Sequence, residues 1–158
     1  MKKLLVRIAT GAAFAITLIA AILFGKVSFG ALFLLVTLLS VNEFCTLVKN
    51  YKGTTFSTWL AVLGGGYLFM ATFMLFHGIR VSPLTIYSPY IAVVAYVFIR
   101  QLFDTEGKPL DNYAYFTLSQ VYVAAPLALL NVLATAGAGE GETYNWLLPI
   151  TIFFFILL

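Results

Sequence analysis

Residues Val27 to Val48 read VSFGALFLLVTLLSVNEFCTLV, a run with one charged side chain, Glu43. A bilayer core about 30 Å thick takes ~20 helical residues to cross at about 1.5 Å each. The run is therefore long enough and apolar enough to be a transmembrane helix. Why it carries a carboxylate is the question that organises the remaining residues.

The composition extends this reading to the whole chain. Of 158 residues, 62% are hydrophobic and 9% are charged, against about a quarter charged in a soluble domain. With a mean hydropathy of +1.01, no soluble interior could hide this much apolar surface. The predicted fold class is all-α: a polytopic transmembrane helical protein of about six segments in a single domain over residues 1–158. The formal charge of +3 does not point to nucleic acid, because the lysines and arginines are scattered between apolar blocks. Cys45 has no second cysteine for a disulfide or a thiolate metal site.

Short polar or Gly/Pro-marked breaks divide the chain into segments at Ile8–Phe24, Val27–Val48, Trp59–Ile79, Leu84–Ile99, Tyr113–Thr135 and from Trp146 onward. The fourth contains Ser88 and Pro89, which leaves its ends least defined. The basic start MKKLLVR followed by an apolar stretch resembles a signal peptide. Its only A-x-A, Ala13 to Ala15, lies too early for cleavage, so segment one is expected to be retained. The last block, WLLPITIFFFILL, would rise ~20 Å as a helix, short of the core thickness. The expectation is an amino-terminal membrane fragment of a longer protein, with the catalytic carboxy-terminal part absent.

Charge sets the orientation. With Lys2, Lys3 and Arg7 in the cytoplasm, Lys49, Lys52, Arg100 and Lys108 fall there too, leaving Lys26 and Arg80 outside. A multi-pass protein of the cytoplasmic (inner) membrane with its N-terminus in the cytoplasm follows. Trp59, Trp146, Tyr113 and Tyr115 lie at segment ends, as interfacial anchors do.

The carboxylate has a candidate partner. Arg7 lies 18 positions before Gly25 and Glu43 lies 17 after Lys26, so an antiparallel pair turning at Gly25–Lys26 brings them nearly level as a charge pair. Ser40, Thr46 and Asn50 share the Glu43 face at helical spacing. Segment five brings Ser119 and Gln120 into the same leaflet, with Pro126 expected to kink it. Arg7, Ser40, Glu43, Ser119 and Gln120 are thus the candidate substrate-binding or structural polar cluster. Intramembrane ionisable residues mark functional sites; the other reading is interhelical hydrogen-bond glue. No catalytic residue is assigned, and no metal ligand.

Other features carry less chemistry. Gly64-Gly65-Gly66 lacks the lysine and the strand of a phosphate loop and reads as close helix packing or a flexible kink. His77, the only histidine, has no Ser or Asp partner at triad spacing. Asp104, Glu106 and Asp111 flank a Gly-Lys-Pro turn and read as a solvated connection. Cys45 reads as a small buried apolar residue.

Three stretches, RIATGAAFA from Arg7, VNEFCTLV around Glu43 and LSQVYVAAPLALLN from Leu118, resemble the amino-terminal half of bacterial phosphatidate cytidylyltransferase, also called CDP-diacylglycerol synthase. The resemblance implies a multi-pass enzyme that condenses CTP with phosphatidic acid at the cytoplasmic side, releasing pyrophosphate. It implies magnesium as cofactor of the whole enzyme and none for the fragment, phosphatidic acid lipid and CTP as partners, and a homodimer as the assembly. The family's late signature, with Pro-Gly-His-Gly-Gly and Asp-Arg-x-Asp, does not occur in these residues. Phosphoryl-type transfer needs carboxylates for divalent metal and cations for the phosphates, so residues 1–158 alone are expected to be inactive. The rival readings are a fragment of a membrane transporter, against which no internal repeat is found, and a non-catalytic structural membrane subunit.

Overall fold

A computed structural model describes residues 2–78, 81–104, 108–136 and 144–157, with side chains placed from residue 10 onward apart from 12, 156 and 157. These residues are helical almost throughout and contain no strand. The helices are α1 (Lys2–Leu23), α2 (Lys26–Lys52), α3 (Thr58–Phe76), α4 (Pro83–Leu102), α5 (Pro109–Leu118), α6 (Ala125–Thr135) and α7 (Leu147–Leu157), with a π-helical stretch, Ser119–Ala124, joining α5 to α6. Four stretches are long and apolar enough to cross a membrane: α2, α3, α4 and the continuous Pro109–Thr135. The chain is an all-α polytopic membrane protein.

Glycine ends two of these helices. Gly25, at φ 106, turns α1 into α2, and Gly53, at φ 64 and ψ 33, stops α2 with its N–H bonded to the Lys49 carbonyl. Both dihedrals lie where a Cβ is strained. Lys49 and Lys52 sit in the last turn of α2, where the helix dipole favours cations.

Both helix-interior prolines are accommodated. Pro89 lacks the N–H that would bond Thr85, and the Ser88 hydroxyl donates to that carbonyl instead, at 3.0 Å. α4 therefore runs unbroken for 20 residues, longer than the Leu84–Ile99 expected. Pro126 conflicts with the carbonyl four residues earlier. The chain widens just before it, and the Ala125 N–H reaches back five residues to Gln120. A π turn, rather than a simple kink, absorbs the proline.

α3 is the hub, packed against α2, α4, α6 and the π stretch. Gly64, Gly65 and Gly66 are all buried. A Cβ at Gly65 would stand 3.1 Å from both the Ala124 Cβ and a Val41 methyl, so α2 and the π stretch meet across bare backbone. The triplet serves close packing, as its lack of phosphate-loop context implied.

The distribution of polarity is inverted relative to a soluble domain. Leu35, Leu39, Leu63, Ile91, Leu129 and Phe155 face outward, while Thr37, Thr72, Asn112, Ser119, Gln120 and Asn131 are buried. Lipid rewards apolar exteriors, and polar groups retreat inward to partners.

Candidate functional site

The end of the bundle that carries Lys49, Lys52, Arg100 and Lys108 holds several of the buried polar side chains, Gln101, Asn112, Ser119 and Gln120 among them. The α2–α3 loop is tied to α5 by a reciprocal pair: Asn112 Oδ1 accepts from the Thr55 N–H at 2.9 Å, and Asn112 Nδ2 donates to Thr55 Oγ1 at 3.0 Å. The buried Phe56 ring beside this clasp lies under Lys49 Nζ, 5.6 Å from its centroid, a cation–π arrangement. Sequence reasoning missed Asn112. Its spacing from Phe116 and Gln120, one helical turn each, was the available signal.

Two turns further in, Gln120 donates from Nε2 to the Ala61 carbonyl of α3 at 2.9 Å and to Ser119 Oγ at 3.1 Å, while Ser119 donates to the Phe116 carbonyl at 2.6 Å. Gln120 Oε1 has no conventional partner and faces the backbone of Gly64, where a Cβ would lie 3.2 Å away. Both residues lie in the π stretch, which aims Gln120 at α3 and sets Ser119 beside Cys45 of α2.

The predicted cluster divides in two. Ser119 and Gln120 come together in the interior. Glu43 is exposed on α2, two residues from Val41 on one side and from Cys45 on the other, both buried. Two residues is about 200° of helix rotation, so Glu43 points away from Ser119 and Gln120. Ser40 is half-buried. The Arg7 side chain lies outside the described residues, and so does its pairing with Glu43. Around Glu43 the exposed face carries Asn42, Thr46 and Asn50, and Thr46 donates to the Asn42 carbonyl at 2.8 Å. Asn42 also lines a 290 Å³ cleft with Thr58, Trp59 and Val62.

A second pocket, of 170 Å³, opens between the end of α4 and the start of α5, lined by Phe98, Gln101, Leu102, Pro109, Leu110 and Tyr113. Phe98 and Tyr113 meet edge to face with centroids 5.0 Å apart. Gln101 was also missed. Its spacing from Val94 and Val97 places it on the packed face of α4.

The opposite end is closed by aromatic contacts. Tyr144 donates to the Ile22 carbonyl at 2.7 Å, tying the segment before α7 to the end of α1. Desolvation pushes its phenol up to about 12. His77, just past α3, is buried, stacks on Phe73 at 4.3 Å, and has its Nδ1 3.1 Å from the Phe73 carbonyl. Burial pulls its pKa down; the Phe73 carbonyl opposes this and Lys26 adds to it. This is a packed histidine, not one arm of a triad.

A sequence profile described as the cytidylyltransferase family matches residues 5–156. The chain belongs to the cytidylyltransferase family. No curated protein and no solved structure matched it. Membership makes nucleotidyl transfer the class of chemistry, in a chain with four helical stretches long and apolar enough to cross a membrane.

Nucleotidyl transfer commonly employs a divalent cation held by carboxylates. Among the described residues no three His, Cys, Asp or Glu side chains come together, and Glu43, Asp104 and Asp111 are spread over α2, the α4–α5 connection and α5. Those residues do not fit a metal clamp, and no catalytic step is assigned through one.

Proposed function

We propose that this cytidylyltransferase acts on a membrane-borne acceptor, phosphatidate, as the lipid-embedded part of an enzyme that makes CDP-diacylglycerol. The observation that carries the reading is the family match over residues 5–156 in a chain whose helices are lipid-facing. An enzyme that spends its length in the bilayer while using a water-soluble nucleotide gains most from an acceptor that cannot leave the membrane. In the reaction a phosphatidate phosphate oxygen attacks the α-phosphorus of CTP. The α–β phosphoanhydride bond breaks and pyrophosphate leaves, so atoms and charge balance without a redox partner.

The basic end, with Lys49, Lys52, Arg100 and Lys108, is proposed to face the cytosol, where CTP is found. Its cations would draw an anionic nucleotide toward the headgroup layer. The Thr55–Asn112 clasp and the Gln120–Ala61 bond hold the helix ends around that face.

The test is made on the gene's product in its native membrane. Labelled CTP and phosphatidate are supplied, and CDP-diacylglycerol is measured in membranes with and without the gene. Gene-dependent product requiring both substrates is the expected result. Membranes with the gene that make no more product than those without it would overturn the assignment, and gene-dependent solute flux instead would favour a transporter.

A further inference from the structure

α1 packs by one end. Leu18, Ala21 and Ile22 are buried, but the same face one and two turns earlier is not. Phe14 is 59% exposed, and Gly11 is exposed with nothing within 4 Å of where its Cβ would stand. α1 therefore parts from the bundle just before Leu18. Thr17 marks the place, donating to the Ala13 carbonyl at 2.8 Å, a back-bond of the kind that bends helices.

α2 carries the other side of the gap. Beside the packed end of α1 an open groove runs between the two helices, lined by Thr17, Ala20, Ser28, Ala31 and Leu35 among others. Helical spacing carries its α2 side on through Leu39, Asn42 and Thr46 to Asn50, and its α1 side back through Ala13 to Thr10. All six of these are exposed, and so is Glu43 beside Asn42. The polar groups lie within the leaflet, since Asn42 is seven residues, about 10 Å of helix, before Lys49 at the basic end. Acyl chains offer a carboxylate and two amides no hydrogen bonds. Counting from the Gly25 turn puts Arg7 nearly level with Glu43 in the sequence, a cation to its carboxylate.

We propose that the first half of α1 is a hinged flap that swings about Thr17 onto the polar face of α2, and that the gap left when it is open is a lateral gate admitting a phospholipid headgroup from the leaflet. The gate rests on the lipid-acceptor reading above; the flap does not. Closing extends the packing that already holds Leu18 and Ala21 against the bundle, so α1 is the cover that the groove's own course supplies. Open, the α2 face meets a headgroup. Closed, it meets α1, and the two coverings exclude each other.

The test uses the full gene product in its native membrane, with its native cysteines, Cys45 included, replaced by alanine. Ala13→Cys and Leu39→Cys are added together, because Ala13 lies 12 positions before Gly25 and Leu39 lies 13 after Lys26, so closure brings them face to face. Oxidation should join them within one chain. Product from labelled CTP and phosphatidate should fall in proportion to the fraction joined and return on reduction. Adding Glu43→Leu should slow the joining about tenfold, since the polar face no longer draws α1 in; an unchanged rate overturns that role for the face. No joining, with product made by the wild type, overturns the flap and leaves the function standing. Joining between two chains also overturns it and makes a second copy the cover of α2. Joining within the chain without loss of product overturns the gate. Joining within the chain where the wild type makes no CDP-diacylglycerol upholds the flap and overturns the function.

Discussion

Replacing Gly65 by alanine places a methyl 3.1 Å from both the Ala124 Cβ and a Val41 methyl, where carbon atoms settle at about 3.5–4.0 Å. Neither neighbour is the loose end of a long side chain: Ala124 is fixed to the π stretch, and valine is stiff at χ1. α2 and the π stretch must therefore move apart, and overpacking of this kind costs about 1–3 kcal/mol. The same change gains about 1 kcal/mol of intrinsic helix propensity, so the single variant would be ambiguous. Gly11→Ala resolves it, since a Cβ there meets nothing within 4 Å and collects the propensity gain alone. Subtracting one from the other leaves the packing term of about 1–3 kcal/mol. At about 2–4 °C per kcal/mol for a chain of this size, Gly65→Ala should melt roughly 2–12 °C below Gly11→Ala in the same detergent. Equal melting temperatures for the two variants would refute the claim that α3 is held by backbone approach at the glycines.

Further expectations follow from named contacts. Gln120→Leu loses the bond to the Ala61 carbonyl and should cost about 0.6–2 kcal/mol; a melting temperature equal to wild type would show the bond to be idle. His77 is held below its ordinary pKa by burial, so the unfolded chain takes up a proton near pH 6.5 before the folded one does. Stability is full above about 6.5 and falls as pH drops toward the lowered value, and His77→Phe should flatten that slope in a melting series from neutral to mildly acidic pH. Tyr144 runs the other way: with its phenol at about 12, stability holds below the unfolded value of about 10 and falls as pH rises between the two. Tyr144→Phe should remove this alkaline loss while weakening the tie to Ile22, which a melting series at high pH reads directly. A charge pair between Glu43 and Arg7 predicts that Glu43→Leu destabilises more than Glu43→Leu with Arg7→Leu; strictly additive losses in the double-mutant cycle would count against it.

The spans were legible because length and hydropathy set them. Val27–Val48 became Lys26–Lys52, and Trp59–Ile79 became Thr58–Phe76 with Gly64 to Gly66 buried inside. What periodicity could not supply was direction. In water an apolar stripe tells which face of a helix is inward, but in lipid both faces of α2 are apolar, and grouping Ser40, Glu43, Thr46 and Asn50 on one side did not say where that side points. The interior face turned out to be Thr37, Val41 and Cys45. The site's legible part was Ser119 and Gln120, adjacent polar residues in an otherwise apolar helix. Asn112 and Gln101 stayed hidden because each stands near a helix end, where an amide reads equally well as a solvated residue or an anchor. Only the tertiary packing of α4 and α5 decides between these.

The widened turn before Pro126 also has a bearing on phase. A π bulge is one residue more than an α-helix needs for the same rise, so everything beyond it is offset by about 100° from the course an uninterrupted helix would take. It is in that shifted frame that Asn131 reaches the Phe69 carbonyl and Ala134 meets Ile22 and Phe29. Regular winding over the same number of residues would rotate both off their partners, so the bulge sets the register of α6 against α3 and α1.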